Sequence, residues 1–307
     1  MKRFVIAAGL AACAAGIVAA VSIAATSGKG GVGAESVEAV AAKFPPLPKN
    51  VQSRKRWVIG VKCDFPPFGY IDVQGNHRGY DVAVARRFAT LAFGRPNRIR
   101  LTCVTTPSRI PTLQAGLVDV IVSTLTWTQA RADVINFSIP YYSATGRLLV
   151  PNNSSINSVR DLANKTVVTT RGAIYSTWTK TCQKDAKLLE VDGTAAAVLA
   201  LKDGRADTFM FDDAFVLGVA TQDPTLKLTD DKFLTVPWGI GIRKGDTATT
   251  NWVNAALRYM ASRGEFEKII KANSPRKYWS SFVPNVPGPK RSFKYPVGKD
   301  PATDCNA

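Results

Sequence analysis

From Trp57 onward the chain alternates short apolar runs with helical stretches, and that alternation restricts the fold more than any other feature of its 307 residues. Val58-Ile59-Gly60-Val61 reads as a strand. Val84, Ala85, Phe88, Ala89 and Ala92, spaced three or four apart, predict an amphipathic helix with Asp81 at its positive end. A strand over Ile99 to Val104, a helix over Ile110 to Ala115 and a strand over Val118 to Val122 follow. That order gives a largely parallel sheet covered on both faces. A second block repeats it. Leu148 to Val150 and Thr166 to Thr169 are strands, the latter running into Arg171-Gly172. Ala195 to Leu201 is helical, Asp207 to Met210 a strand, and Asp213 starts another helix. Gly239 to Ile242 is a last strand, and a long helix carries Trp252, Ala255, Ala256, Tyr259 and Met260. Asp64 to Gly69 is expected to be an irregular loop because Pro66 and Pro67 forbid a central strand, and a small hairpin turns at Gly75.

The N-terminus has an export pattern: Lys2 and Arg3, then an uncharged apolar run from Phe4 to Ala25. Cleavage near Ala25, lipidation at Cys13 within Leu10-Ala11-Ala12-Cys13, and an uncleaved anchor of roughly 20 apolar residues are the three readings. Each puts the folded part in the periplasm or another extracytoplasmic space, membrane-anchored in two of them. Residues 26–56, rich in Gly, Ala, Pro and Lys, read as a flexible lead, and residues 276–307 as an irregular, basic, Pro-rich tail wrapped on the surface.

The formal charge is +17, but residues 149–236 carry ten basic against eleven acidic side chains while the segments around them are basic. This spread argues against a single nucleic-acid stripe and suits anionic membrane or cell-wall surroundings. Cys63, Cys103, Cys182 and Cys305 are compatible with two disulfides in an exported chain. Cys63 ends one predicted strand and Cys103 sits in the next, which would make them neighbours and leave Cys182 to tie down the tail through Cys305, although sequence alone does not fix the pairing. With no CxxC pair and His77 alone in a polar turn, no zinc site and no other metal or cofactor is expected.

Several linked segments carry a family likeness: Ile59-Gly60-Val61 with Pro67-Phe68-Gly69; Gly79-Tyr80-Asp81-Val82; Arg109-Ile110-Pro111; Thr124-Leu125-Thr126 with Arg131; Phe137-Ser138 with Pro140-Tyr141-Tyr142; Asp161-Leu162; Phe209 with Asp212-Asp213; and Gly239-Ile240-Gly241 with Lys244-Gly245-Asp246. Over about residues 57–275 the chain resembles the extracellular solute-binding proteins of polar amino-acid ABC importers, bacterial solute-binding protein family 3. The resemblance implies a periplasmic-binding-protein-like type II fold, two α/β lobes with a ligand cleft and two hinge crossovers. Lobe 1 would take residues 57–149 and 238–275, and lobe 2 residues 150–237, with crossovers near Val150 and Val236. It implies a monomer that captures a free amino acid and hands it to an importer permease, without catalysis and without nucleic acid.

A buried zwitterion needs a partner for each charge. Arg131 is the candidate for the ligand carboxylate, because a guanidinium can pair in bidentate fashion and the family arginine stands there, seven residues after Thr124. Thr124, Thr126 and, less centrally, Ser123 would add hydroxyl or backbone hydrogen bonds. Asp212 is the candidate for the ammonium, with Asp213 as helix cap, although a plain cap would account for either. Gly172 lets backbone N–H groups approach a carboxylate, but Ala173 stands where the family usually has a hydroxyl residue. Phe65 would cover the ligand's aliphatic part, whereas Trp127 reads as packing. Arg109, at a position that acidic-amino-acid binders share by resemblance, and Arg171 favour glutamate or aspartate. Asp64 would favour a cationic ligand, and a glutamine-like one lies between. Two rivals remain on the same fold. One is a cyclohexadienyl dehydratase-like enzyme with Glu190 or Asp64 as acid; the other is a sensory ligand-binding module.

Overall fold

The computed structural model describes residues 42–306. The chain enters at Phe44, whose ring packs on Trp252 and Tyr259, and a short helix, α1 (Lys49–Arg54), buries Val51. Next comes β1 (Trp57–Val61). Then β2 (Asp64–Phe65), β3 (Gly69–Ile71) and β4 (His77–Arg78) form a small antiparallel sheet. The first pass through lobe 1 continues with α2 (Tyr80–Phe93), β5 (Ile99–Cys103), α3 (Arg109–Gln114), β6 (Val120–Val122), α4 (Gln129–Val134) and β7 (Ile135–Phe137). Lobe 2 holds β8 (Tyr142–Pro151), β9 (Thr166–Thr170), α5 (Ile174–Cys182), β10 (Lys187–Val191), α6 (Thr194–Lys202), β11 (Thr208–Asp212), α7 (Asp213–Gln222), β12 (Leu226–Leu228) and β13 (Phe233–Trp238). The chain returns to lobe 1 with β14 (Gly241–Arg243), α8 (Thr247–Ser262) and α9 (Glu265–Asn273), and a short helix, α10 (Trp279–Phe282), lies in the tail.

The lobe 1 sheet has the order β5-β1-β6-β14-β7. β1 is parallel to β5 and β6, and only β14, which returns after lobe 2, runs against its neighbours. β1 is buried on both faces. Trp57, Ile59 and Val61 join the large core and Val58 a second cluster with Val104, Leu113 and Ile121, the two-residue period of a strand. The lobe 2 sheet has the order β10-β9-β11-β8-β12, with β13 also on β8. Its first three strands are parallel, and β8 is antiparallel to its partners. This is the type II periplasmic-binding-protein fold, two α/β lobes with a central cleft.

Several expectations need correction. The first crossover lies at residues 138–141, not near Val150, because β8 pairs with β13 from Tyr142 onward and is wholly in the second sheet. Its leading residues alternate apolar with small polar side chains, which hides them from an apolar-run reading. The return crossover is Gly239-Ile240, between β13 and β14. The lead is docked from Phe44 on: beyond the aromatic contact, Asp119 accepts from Arg54 Nη2 at 2.5 Å and Asn50 Nδ2 at 2.8 Å. The loop at Asp64–Gly69 is pinned at both ends by strand pairing. The tail begins with helical turns and α10 rather than irregular chain. Disulfides join Cys63 to Cys103 and Cys182 to Cys305. The export segment lies outside the described residues, among which no helix is long and apolar enough to cross a membrane.

Candidate ligand cleft between the lobes

In an α/β sheet the loops at the carboxyl ends of parallel strands gather at one edge. Here β1 ends at Lys62, β6 at Ser123-Thr124, β9 at Thr170 to Gly172, and β11 at Asp212. The two lobes turn these edges toward each other. Several close approaches cross the gap. Arg131 Nη2 donates to the Gly172 carbonyl at 2.9 Å, Thr194 Oγ1 donates to the Asp64 carbonyl at 2.7 Å, and a Cβ on Gly172 would stand 3.3 Å from Pro107 Cα. Gly172 has φ +74°, which suits glycine on that ground as well.

Arg131 is placed by α4, whose N-cap Thr128 accepts its backbone N–H. Its Nη1 donates to the Thr126 carbonyl at 2.6 Å. Burial pushes its pKa down to about 10, with Asp212 and Asp300 acting the other way. Arg109, buried, donates to the Ser123 and Thr124 carbonyls at 2.7 and 3.2 Å. Burial and then the nearby Arg131 bring it down to about 9. Asp212, at the N-cap of α7, makes no capping bond and instead accepts from Tyr175 Oη at 2.8 Å. Burial raises it to about 7, assisted by Asp213 and opposed by Tyr175, Arg109 and Arg131. Asp213 does the capping work from the first helical position, accepting from Ala214 N at 2.8 Å and Thr145 N at 3.3 Å. Arg131, Arg109 and Asp212 therefore sense one another across one crevice.

Phe65 is fully buried and touches Phe68 and Trp238 as well as Phe211 and Phe215 of lobe 2, so its ring joins the lobes at the floor of the gap. Arg171 is not brought to the cleft; it pairs with Asp192 at 3.0 Å on the open surface. Glu190 pairs with Lys180 at 2.9 Å on the outer side of lobe 2. Asp64 meets Lys62 at 3.0 Å. Trp127 packs on Tyr295. His77, Cys63 and Cys103 cluster, but the two sulfurs are spent in a disulfide.

Two groups escaped the sequence reading. Lys62 is 1% exposed. It donates to Thr106 Oγ1 at 2.9 Å as well as pairing with Asp64, and desolvation lowers its pKa. A lysine closing an otherwise apolar strand was the available signal. Asp81 is no helix cap. It accepts from Thr124 N at 2.9 Å and from Tyr141 Oη at 3.0 Å, and burial raises it to about 7. It thereby holds Thr124 at φ +48°, a conformation that costs a non-glycine residue on the order of 1 kcal/mol. Ser123 Oγ and Thr170 Oγ1, one from each lobe, are buried without a hydrogen-bond partner. Hydroxyls of this kind at strand ends can donate to or accept from a polar ligand.

Both charge signs buried between two α/β lobes suit a small zwitterion. Residues 57–273 match the family "Bacterial extracellular solute-binding proteins, family 3", and the chain belongs to that family. It is 32% identical over 83% of its length, and 93% of the relative's, to the "ABC transporter glutamine-binding protein GlnH" of Bacillus subtilis. It is 25% identical to the "L-glutamate/L-aspartate-binding protein" of Pseudomonas aeruginosa over 86% of this chain and 89% of the relative. Among solved structures, a "Cysteine-Binding Protein" from Campylobacter jejuni superposes with a TM-score of 0.70 at 28% identity, covering 74% of this chain and 94% of the other. The chain is thus an extracytoplasmic, amino-acid-binding component of an ABC transporter, working with a membrane permease, and its family is one of solute-binding proteins rather than enzymes.

Proposed function

We propose that the cleft captures an acidic amino acid, glutamate or aspartate, and that lobe closure on it produces the form the permease accepts. In this reading Arg131 takes the α-carboxylate, with Thr126 and Gly172 orienting it, and Asp212 takes the ammonium. Ser123 and Thr170 hydroxyls complete the polar contacts, and Phe65 covers the aliphatic carbons. Because lobe 1 supplies one charge and lobe 2 the other, the ligand is matched only when both engage it, so binding favours the closed state.

The observation that carries the acidic choice is Lys62. A further buried cation close to Arg109 would be costly in a cleft meant for a lysine or arginine side chain and useful for a second carboxylate. With Arg171 turned away, Lys62 and Arg109 remain as the support for it. Asp64 favours a second reading, a neutral amide ligand such as glutamine, since its carboxylate already neutralises Lys62. Calorimetry on ligand-stripped protein with glutamate, aspartate, glutamine and arginine separates these. Tight binding of glutamate or aspartate supports the first; binding of glutamine alone supports the second; tight arginine binding with no heat from glutamate ends the acidic assignment.

A further inference from the structure

The family match ends at residue 273, yet the chain continues into a tail that touches both lobes. Tyr295 is seated on lobe 1, its ring stacked on Trp127 at 5.6 Å and edge-on to Phe137 at 5.9 Å. Its hydroxyl donates to the Ser138 carbonyl at 2.6 Å. Ser138 belongs to the first crossover. The second crossover is just as close: a Cβ on Gly239 would fall 2.0 Å from Tyr295 Oη, so the phenol occupies the place a side chain there would need. Ser138 and Gly239 are themselves linked into one hinge, Ile240 N donating to Ser138 Oγ at 2.9 Å. Seven residues later the tail is on lobe 2. Ala302 is buried, the Asp304 carbonyl accepts from Trp178 Nε1 at 3.1 Å, and Cys305 is bonded to Cys182 of α5.

We infer that residues 295–305 form a third connection between the lobes, a strap that sets the balance between open and closed states, with Tyr295 wedged between the crossovers and the Cys182–Cys305 bond as its clamp. Hinge motion requires backbone rotation at the crossovers. Tyr295 packs against both and must shift when they rotate. Its anchor on lobe 2 cannot slip, because it is covalent, so opening has to draw Tyr295 out or unravel the turns closed by Lys299 N to Pro296 O and Thr303 N to Asp300 O. A displaced Tyr295 also stays tethered near its seat, at the high local concentration a short linker imposes. The strap thus favours closure without forbidding opening. Asp300, on the segment that crosses, is near enough to Arg131 to stabilise its charge, so the crossing runs past the cleft.

The test is small-angle scattering of the exported chain without ligand, as wild type, Cys182→Ser/Cys305→Ser and Tyr295→Ala, with circular dichroism as the control for folding. Both variants are expected to be more expanded than wild type. Dissociation of bound L-glutamate, or of L-glutamine if glutamate does not bind, is expected to be about tenfold faster in both. A variant is used in place of a reductant because the latter would also open Cys63–Cys103. Should Tyr295→Ala not fold, Tyr295→Phe, which keeps the ring and removes only the bond to Ser138, is read the same way. Superimposable ligand-free scattering from folded wild type and variants overturns the inference. That readout needs no ligand, so failure of the acidic assignment leaves it intact.

Discussion

The Arg131 guanidinium, rooted in lobe 1, reaches the Gly172 carbonyl of lobe 2 at 2.9 Å. One donor thus already spans the gap, while another holds Thr126 in lobe 1. A ligand carboxylate entering here meets a cation whose direction is fixed before it arrives. Hydrogen bonds to charged groups contribute about 1.5–3 kcal/mol each, so Arg131→Ala is expected to weaken binding by ~100-fold or more, with an unchanged circular dichroism spectrum. Near-wild-type affinity by calorimetry would remove the assigned role.

Asp212 gives the cleft a pH signature. Raised to about 7 in the ligand-free protein, it is largely neutral at pH 5 and cannot pair with an ammonium. Affinity is expected to fall by about tenfold for each pH unit below 7, and Asp212→Asn is expected to be weak and flat across the range. Calorimetry at pH 5, 6, 7 and 8 reads this directly; equal affinity at pH 5 and 8 in the wild type would contradict it.

The same group carries a stability cost with a definite sign. Its folded pKa lies above its ordinary value of 3.8, as do those of Asp81 at about 7 and Asp213 at about 6. Stability from these groups is full below pH 4 and is lost as pH rises through 6 to 7. Asp212→Asn is therefore expected to stabilise the protein without ligand at pH 8 by about 1–3 kcal/mol while weakening binding, and to change stability little at pH 4. Urea titrations at the two pH values measure the difference. Destabilisation at pH 8 would mean that the carboxylate is better compensated than its burial implies.

Lys62 decides specificity if the acidic reading holds. Lys62→Gln keeps a donor toward Thr106 but removes the charge. Glutamate affinity is expected to fall by about 10–100-fold, with glutamine affinity changed much less. Parallel loss for both ligands would make Lys62 a structural partner of Asp64 and no more.

The Cys63–Cys103 bond closes a loop of 40 residues within lobe 1. Replacing both cysteines with serine is expected to cost about 2–4 kcal/mol of stability, read by urea denaturation, with ligand affinity unchanged. A large loss of affinity would show that the edge pair β1 and β5 positions Lys62 more delicately than the burial of β1 suggests.

The two α/β blocks and the parallel order of their strands are legible because apolar runs and glycine turns mark strands that are buried on two faces, whereas the discontinuity of lobe 1 comes only from the family resemblance. What escaped reading has physical reasons. β8 is buried yet begins Tyr142-Ser143-Ala144-Thr145, because small residues on a strand between two others need no bulk, so the first crossover was put too late. Arg131 and Asp212 stand out only by their place in a family pattern, and in the fold their charges act on each other. Arg171 shares that pattern but is drawn outward by Asp192, a neighbour that only the pairing of β9 with β10 brings near. Asp81 passed as a helix-start acid because its partners, Thr124 and Tyr141, lie more than forty residues away.

Asp119 precedes β6, at the edge of the lobe 1 sheet opposite the strand ends that line the cleft, and there it grips Arg54 and Asn50 of α1. Residues 50–54 are therefore moored to the back of lobe 1, so a pull on this short helix is borne by that lobe and not by the crossovers.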